Sequence, residues 1–320
     1  MVIVPLKGQT MTITEMQNKI RELKQATDTA ILAHSYQARE ILEIADISGD
    51  SYALAISAKT AKQRNLILCG VRFMAETAKI LNKDKRVFLA NSEAGCPMAE
   101  QVTPEALAAL KSAEPDRAVV AYINTTAELK KLCDVCVTSS GALKIVRNMT
   151  AQKILFIPDY NLGSYIKQQI PEKDIKLVEG GCCPVHAAVT AEDVKAAKSR
   201  YKGALVLAHP ECKPEVLELA DYIGSTTGIM EFAKNSDARE FIIGTELSIA
   251  EHLQYELPDK KFYPLSKKIM CADMRITNLK NVLDTLTDME NACEIIMSDE
   301  DIASAGKCIE NMIKHLPTKL

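Results

Sequence analysis

The stretch Val178-Glu179-Gly180-Gly181-Cys182-Cys183-Pro184-Val185-His186 follows a hydrophobic run, Ile175-Lys176-Leu177-Val178, and presents two glycines, two thiols and an imidazole. That order predicts a buried strand whose carboxyl end opens into a ligand site. Equivalent cysteines stand at Cys96 and Cys271, steps of 87 and 88 residues from Cys183. Other features keep the same spacing. Threonines that read as helix N-caps fall at Thr103, Thr190 and Thr277. First strands end at His34, Tyr122 and His209, with Tyr36, Asn124 and Glu211 two residues beyond each. Hydroxyls at the second strand ends fall at Ser51, Ser139 and Thr226.

Self-similarity at a fixed period is the first thing a sequence has to explain. A period near 87 residues is too long for a solenoid turn and suits a compact α/β layer. Alternating strands and helices require parallel sheets with right-handed crossovers, and ligands then sit beyond the carboxyl ends of the strands. The expected fold class is therefore α/β, with three homologous parallel-sheet α/β/α domains in pseudo-threefold arrangement around a central active site. The units are expected at 1–102, 103–189 and 190–276. Helices over 277–320 should dock on the first unit. Within that plan Thr14 and Gln17 predict a capping box opening a helix over 14–25, and 47–51 reads as a turn. Thr277 opens one late helix, and 299–315 reads as an amphipathic one.

Bulk properties narrow the function classes. The chain has 320 residues, 47% of them hydrophobic and 25% charged, with a net charge of -3. Disorder is not expected, and no basic block or aromatic interleaving suggests nucleic acid. No apolar run reaches the roughly 18–20 residues of a membrane span, so no membrane partner is expected. Met1-Val2-Ile3-Val4-Pro5 lacks the pattern of a secretory leader, which predicts a cytoplasmic protein. There the ten cysteines are packing residues or metal ligands in place of a disulfide framework.

Three thiols from three units suit a soft centre: an iron-sulfur cluster, zinc or Cu(I). Were it a [4Fe-4S] cluster, three cysteines would leave one iron open to substrate as a Lewis acid. Small buried cysteines at equivalent packing positions are the plainer alternative, which the register and the neighbouring Gly95, Gly181 and Pro184 weigh against. Cys182 competes with Cys183. Cys133 and Cys136 form a Cys-x-x-Cys that reads as two core thiols. Ser51, Ser139 and Thr226, each beside a glycine at a strand-to-helix turn, suggest anion binding by free amides and hydroxyls. A lone histidine is usually structural; His34, His186 and His209 at strand ends read as acid/base or carboxylate-binding groups. Glu211 is the natural general acid/base, with Tyr36 and Tyr122 as phenols for proton transfer.

The motifs His34-Ser35-Tyr36-Gln37, Asn91-Ser92-Glu93-Ala94-Gly95-Cys96, Tyr122-Ile123-Asn124, Cys183-Pro184-Val185-His186, His209-Pro210-Glu211-Cys212 and Cys271-Ala272-Asp273-Met274-Arg275 together resemble the quinolinate synthase family. The resemblance covers roughly residues 14–280. It implies one [4Fe-4S] cluster per chain on Cys96, Cys183 and Cys271, and condensation of iminoaspartate with dihydroxyacetone phosphate to quinolinate, phosphate and water. It further implies phosphate or carboxylate binding by Ser51 and Ser139, and dicarboxylate binding by His34, His186, His209 and Thr226. Tyr36, Tyr122, Asn124 and Glu211 would handle protons and orientation. L-aspartate oxidase or aspartate dehydrogenase would supply the imine. Alanine follows the third cysteine where many relatives carry proline, and Cys133-x-x-Cys136 matches no family motif. Another iron-sulfur hydro-lyase, or a non-catalytic iron-sulfur sensor, are the alternatives.

Overall fold

Residues 11–315 are described by the computed structural model of the chain. Twelve strands form three wholly parallel sheets. The first holds β1 (Thr29–His34), β2 (Ile47–Gly49), β3 (Asn65–Cys69) and β4 (Arg86–Leu89). The second holds β5 (Ala118–Tyr122), β6 (Val135–Val137), β7 (Lys153–Ile157) and β8 (Asp174–Leu177). The third holds β9 (Leu205–Ala208), β10 (Tyr222–Ile223), β11 (Glu240–Gly244) and β12 (Lys261–Pro264). Their orders are β2-β1-β3-β4, β6-β5-β7-β8 and β10-β9-β11-β12, one topology three times over. The expected α/β class with three parallel sheets is the observed one. Helices on the sheet faces bury the central strands, so β1 is apolar without alternation over Ala30–Ala33 and buried at every residue.

The repeat extends to individual hydrogen bonds. Asp46, Asp134 and Asp221, at the starts of the three second strands, each accept a backbone N–H from the first strand. The donors are Ile31 (2.8 Å), Val119 (2.7 Å) and Val206 (2.7 Å). The same aspartates return their own N–H groups to the carbonyls of Ile31, Val119 and Val206. Each clamp fixes the register of an outer strand that is only two or three residues long. In every sheet the order reverses between the first and third strands, and a crevice opens there at the carboxyl ends.

Several local expectations are corrected. The first helix, Ile13–Ala26, is capped by Thr12, whose box partner is Glu15. Thr12/Glu15 has the spacing of Thr14/Gln17 and adds a carboxylate to the positive helix end, so the helix starts two residues earlier. Residues Ile47–Gly49 are a strand where a turn was read. A helix over Tyr160–Gln169 went unread, because Asn161 and Gly163 interrupt its apolar pattern. Thr277 is no cap: Asn278 takes that place, in a box with Asn281.

The late helix Leu279–Thr287 packs Leu279, Val282 and Leu286 against Ile20, Ile31, Ile41 and Phe88 of the first unit. The final helix, Asp299–His315, departs from the expected docking: it lies chiefly on β6 and the helix Ala127–Lys130 of the second unit, and touches the first through the helix Arg72–Leu81. Met1–Pro5, read for the absence of a leader, lie outside the described residues. Among the described residues no helix is long and apolar enough to cross a membrane.

Candidate active site and metal centre

Three connected spaces lie at the carboxyl ends of the strands. The inner cavity, about 50 Å³, is lined by His34, Tyr36, Ser51, Tyr122, Asn124, Ser139, His209, Glu211 and Thr226. Against it lies a cavity of about 70 Å³ that holds Cys96, Cys183, His186 and Cys271. Tyr36, Asn124, Glu211 and Met274 form the shared wall. An outer vestibule of about 550 Å³ reaches the inner cavity past Asp50, Tyr52 and Ser139. The sequence-derived residues are therefore brought together, in two compartments.

The opening stretch explains which thiol faces inward. Gly180 takes φ +84°, a conformation that favours glycine. Gly181 lies so close to β7's end that a Cβ there would meet the Pro158 carbonyl oxygen at 2.1 Å. Its carbonyl accepts the Tyr160 N–H at 2.6 Å. Gln101 grips Cys182 from both sides, donating to its carbonyl (3.0 Å) and accepting its N–H (2.7 Å). The Cys183 N–H donates to Asp159 Oδ2 at 2.9 Å. So fixed, Cys183 lines the cavity with Cys96 and Cys271, and Cys182 does not.

Val71, Phe73, Met98 and Met274 give that cavity apolar walls. Burial pushes the Cys96 thiol up to about 12, Cys271 up to about 11, and Cys183 well above the ordinary range. Three protonated thiols in an apolar pocket fit a soft metal group whose binding would displace their protons. Two of these loops are held alike. Asp159 accepts the Cys183 N–H, and Glu246, 87 positions later, accepts the Cys271 N–H at 3.4 Å while pairing with Arg275 at 3.1 Å. The first unit has Val71 at that position.

Polar contacts join the compartments. His186 Nδ1 lies 2.7 Å from Glu211 Oε2 and 3.2 Å from Cys183 Sγ. Its Nε2 is 3.1 Å from Thr245 Oγ1, which is also 2.8 Å from the Tyr36 hydroxyl. Tyr36 reaches Thr226 as well, at 3.0 Å. His34 Nδ1 accepts the Tyr36 N–H (3.2 Å) and His209 Nδ1 accepts the Glu211 N–H (3.3 Å), the same turn in two units. Both imidazoles are left to present Nε2–H to the cavity. The Asn124 side-chain oxygen is buried without a partner at the wall between the two compartments.

Charge states follow from burial. Burial pushes the Glu211 carboxyl up, but the His209 and His186 imidazoles and the Tyr122 hydroxyl outweigh it and hold it below the usual range. Burial, with Glu211 nearby, keeps Tyr36 and Tyr122 protonated far above their ordinary range. The imidazoles of His34 and His209 fall by burial to about 4 from an ordinary 6.5. The unfolded chain binds protons at these histidines near pH 6.5, and the folded chain only near 4. The stability that these two groups contribute is then fully present above pH 6.5 and lost as pH falls toward 4. Denaturant midpoints should drop across that window and drop less in His209→Gln; equal slopes would remove the histidine as the cause.

The anion-turn expectation is corrected in two units. Asp50 caps the helix Ser51–Thr60, accepting the N–H groups of Tyr52 (3.1 Å) and Ala53 (3.0 Å). Ser225 caps the helix Thr226–Asn235 through the Gly228 N–H. A carboxylate and a hydroxyl thus occupy amides that were read as free. No side chain caps the helix Ala142–Asn148 after Ser139. Asp50 also accepts the Thr227 hydroxyl at 2.7 Å, bridging the first and third units beside the vestibule. Sequence reading missed Asp50, Asp159, Thr245 and Glu246. The register carries the signal for three: third-strand ends at 70, 158 and 245 give Gly70-Val71, Pro158-Asp159 and Thr245-Glu246.

The chain is similar in sequence to known proteins over nearly its whole length. The family model for quinolinate synthetase A protein matches residues 18–314. A quinolinate synthase of Clostridioides difficile (strain 630) is 46% identical over 300 residues, 94% of this chain and 98% of that protein. One from Caldicellulosiruptor bescii is 45% identical over 304 residues, covering 95% and 99%. One from Clostridium perfringens is 44% identical over 301 residues, covering 94% and 99%. A match over nearly the whole of both chains, on a fold repeated three times around one thiol-lined cavity, makes the chain a member of the quinolinate synthase family of enzymes.

Proposed function

We propose that the chain condenses iminoaspartate with dihydroxyacetone phosphate to quinolinate, releasing phosphate and two waters, as a step of NAD biosynthesis. Cys96, Cys183 and Cys271 would hold one [4Fe-4S] cluster. The observation that carries the reading is the adjacency of a three-thiol apolar cavity to one lined by histidines, hydroxyls and Glu211. When bound, the cluster would supply an iron with an open position, a Lewis acid for a substrate oxygen.

The chain's own groups divide the remaining work. Neutral His34 and His209 present N–H donors that hold carboxylates without adding charge. Ser51, Ser139 and Thr226 offer hydroxyls to phosphate or carboxylate oxygens. Ionised Glu211 accepts a proton at its carboxylate, and Tyr122, which lines the same cavity, returns one from its hydroxyl. Tyr36 with Thr245 orients the substrate at the wall. Enclosure keeps water from the imine. An L-aspartate oxidase or aspartate dehydrogenase in the cytoplasm would supply that imine.

Anaerobically purified chain should carry iron and sulfide and convert iminoaspartate plus dihydroxyacetone phosphate to a pyridine dicarboxylate with the absorbance of quinolinate. A loaded cluster with no such product would sink the synthase reading and favour a hydro-lyase. A cluster spectrum insensitive to substrate would favour a sensor.

A further inference from the structure

We propose that Cys183, His186 and Glu211 form a mononuclear site for a divalent ion of borderline softness, Zn²⁺ or Fe²⁺, in the chain that carries no cluster. Their donor atoms all lie within 4.8 Å of one another, and the group is the one such set among the described residues. The site is separate in composition from the three-cysteine set, with which it shares only Cys183. Thiolate, imidazole and carboxylate together make the donor set of a tetrahedral ion with its fourth position open. Two anionic ligands against a doubly charged ion leave the buried cluster of groups electrically neutral, which avoids burying net charge.

Each donor already has the support that a metal ligand needs. His186 binds through Nδ1, and its Nε2–H then donates to Thr245 Oγ1, 3.1 Å away. Glu211 is fixed through its N–H, which donates to His209 Nδ1 at 3.3 Å. Cys183 is fixed through its N–H by Asp159. Such outer partners set tautomer and orientation. At present the donors are at hydrogen-bonding separations, 2.7 Å from Nδ1 to Glu211 and 3.2 Å to the sulfur. Around a tetrahedral ion they would stand roughly 3.4–3.6 Å apart, so each gives by a few tenths of an ångström into the adjoining space. Binding releases the thiol proton of Cys183 and fixes the imidazole proton on Nε2. Because Cys183 is shared, an ion seated here blocks cluster insertion.

The test uses Co²⁺ with the full chain freed of iron and sulfide, folding being checked by circular dichroism. One Co²⁺ per chain should give the visible bands of a tetrahedral ion and a sulfur-to-cobalt band of one thiolate. Cys96→Ser and Cys271→Ser should keep both features. Cys183→Ser should lose the sulfur band, His186→Ala the tetrahedral bands, and Thr245→Val should bind about tenfold more weakly. A sulfur band that shrinks in all three cysteine variants, or a folded chain that binds no Co²⁺, would overturn the site. A second arm asks whether Zn²⁺ added before iron and sulfide suppresses cluster formation in the parent chain and less so in His186→Ala. That arm alone rests on the cluster proposed above, so its failure beside a positive Co²⁺ result faults the competition and leaves the site standing.

Discussion

Cys183→Ala, purified without oxygen, should hold almost no iron or sulfide, while Cys182→Ala holds nearly as much as the parent chain. Adjacent identical residues give opposite outcomes because the backbone aims them differently. Gln101 binds the Cys182 amide and carbonyl. Asp159 takes the next N–H, and the Cys183 sulfur joins Cys96 and Cys271 in the apolar cavity. Displacing a supporting residue typically costs a metal site about 10- to 100-fold in affinity, and removing one of three ligands should cost more. Iron and sulfide analysis with the visible spectrum decides it. The reverse pattern would move the ligand to Cys182 and undo the account of the 180–183 loop.

The second large effect is expected at Glu211. Glu211→Gln should lower kcat by about 10²- to 10⁴-fold, the range of general acid–base catalysis, with iron content unchanged. Glutamine keeps the shape and the acceptor oxygen, but it cannot take a proton. Among the described residues Glu211 is the only carboxylate shared by both cavity walls, and its pKa lies below the usual carboxylate range. Rates within tenfold of the parent would assign the proton transfer to another group. Lost iron would make Glu211 structural.

Much of this site could be read from the sequence because the repeat reports on itself. One cysteine pair says little, whereas Cys96, Cys183 and Cys271 at steps of 87 and 88 say which strand ends converge. The same holds for His34 and His209, whose two-residue turns to Tyr36 and Glu211 are superposable hydrogen bonds. Features that depend on side-chain direction were not legible. Ser51 and Thr226 were read as closing anion turns, yet the residues just before them, Asp50 and Ser225, take the amides. Thr245 and Glu246 lie one strand away from the motifs, and only the position of the third strand ends in the repeat points to them. The helix Tyr160–Gln169 was hidden because Gly163 suits tertiary packing better than helix propensity: a Cβ there would lie 2.6 Å from Leu177 Cδ2.

The bond from Thr227 to Asp50 bears on how molecules come and go. At about 50 Å³ the inner space accommodates only a few waters, each needing roughly 10–15 Å³, far less than a triose phosphate beside a dicarboxylate. On the proposed reading the substrates would need more room than this, and the Thr227–Asp50 bond is the contact between the first and third units that would have to give for it. One neutral-to-carboxylate hydrogen bond contributes about 1.5–3 kcal/mol net, small enough for thermal opening. Residence time for bound molecules would then be set by the parting of two whole layers about the Asp50 contact, a motion of the μs–ms kind.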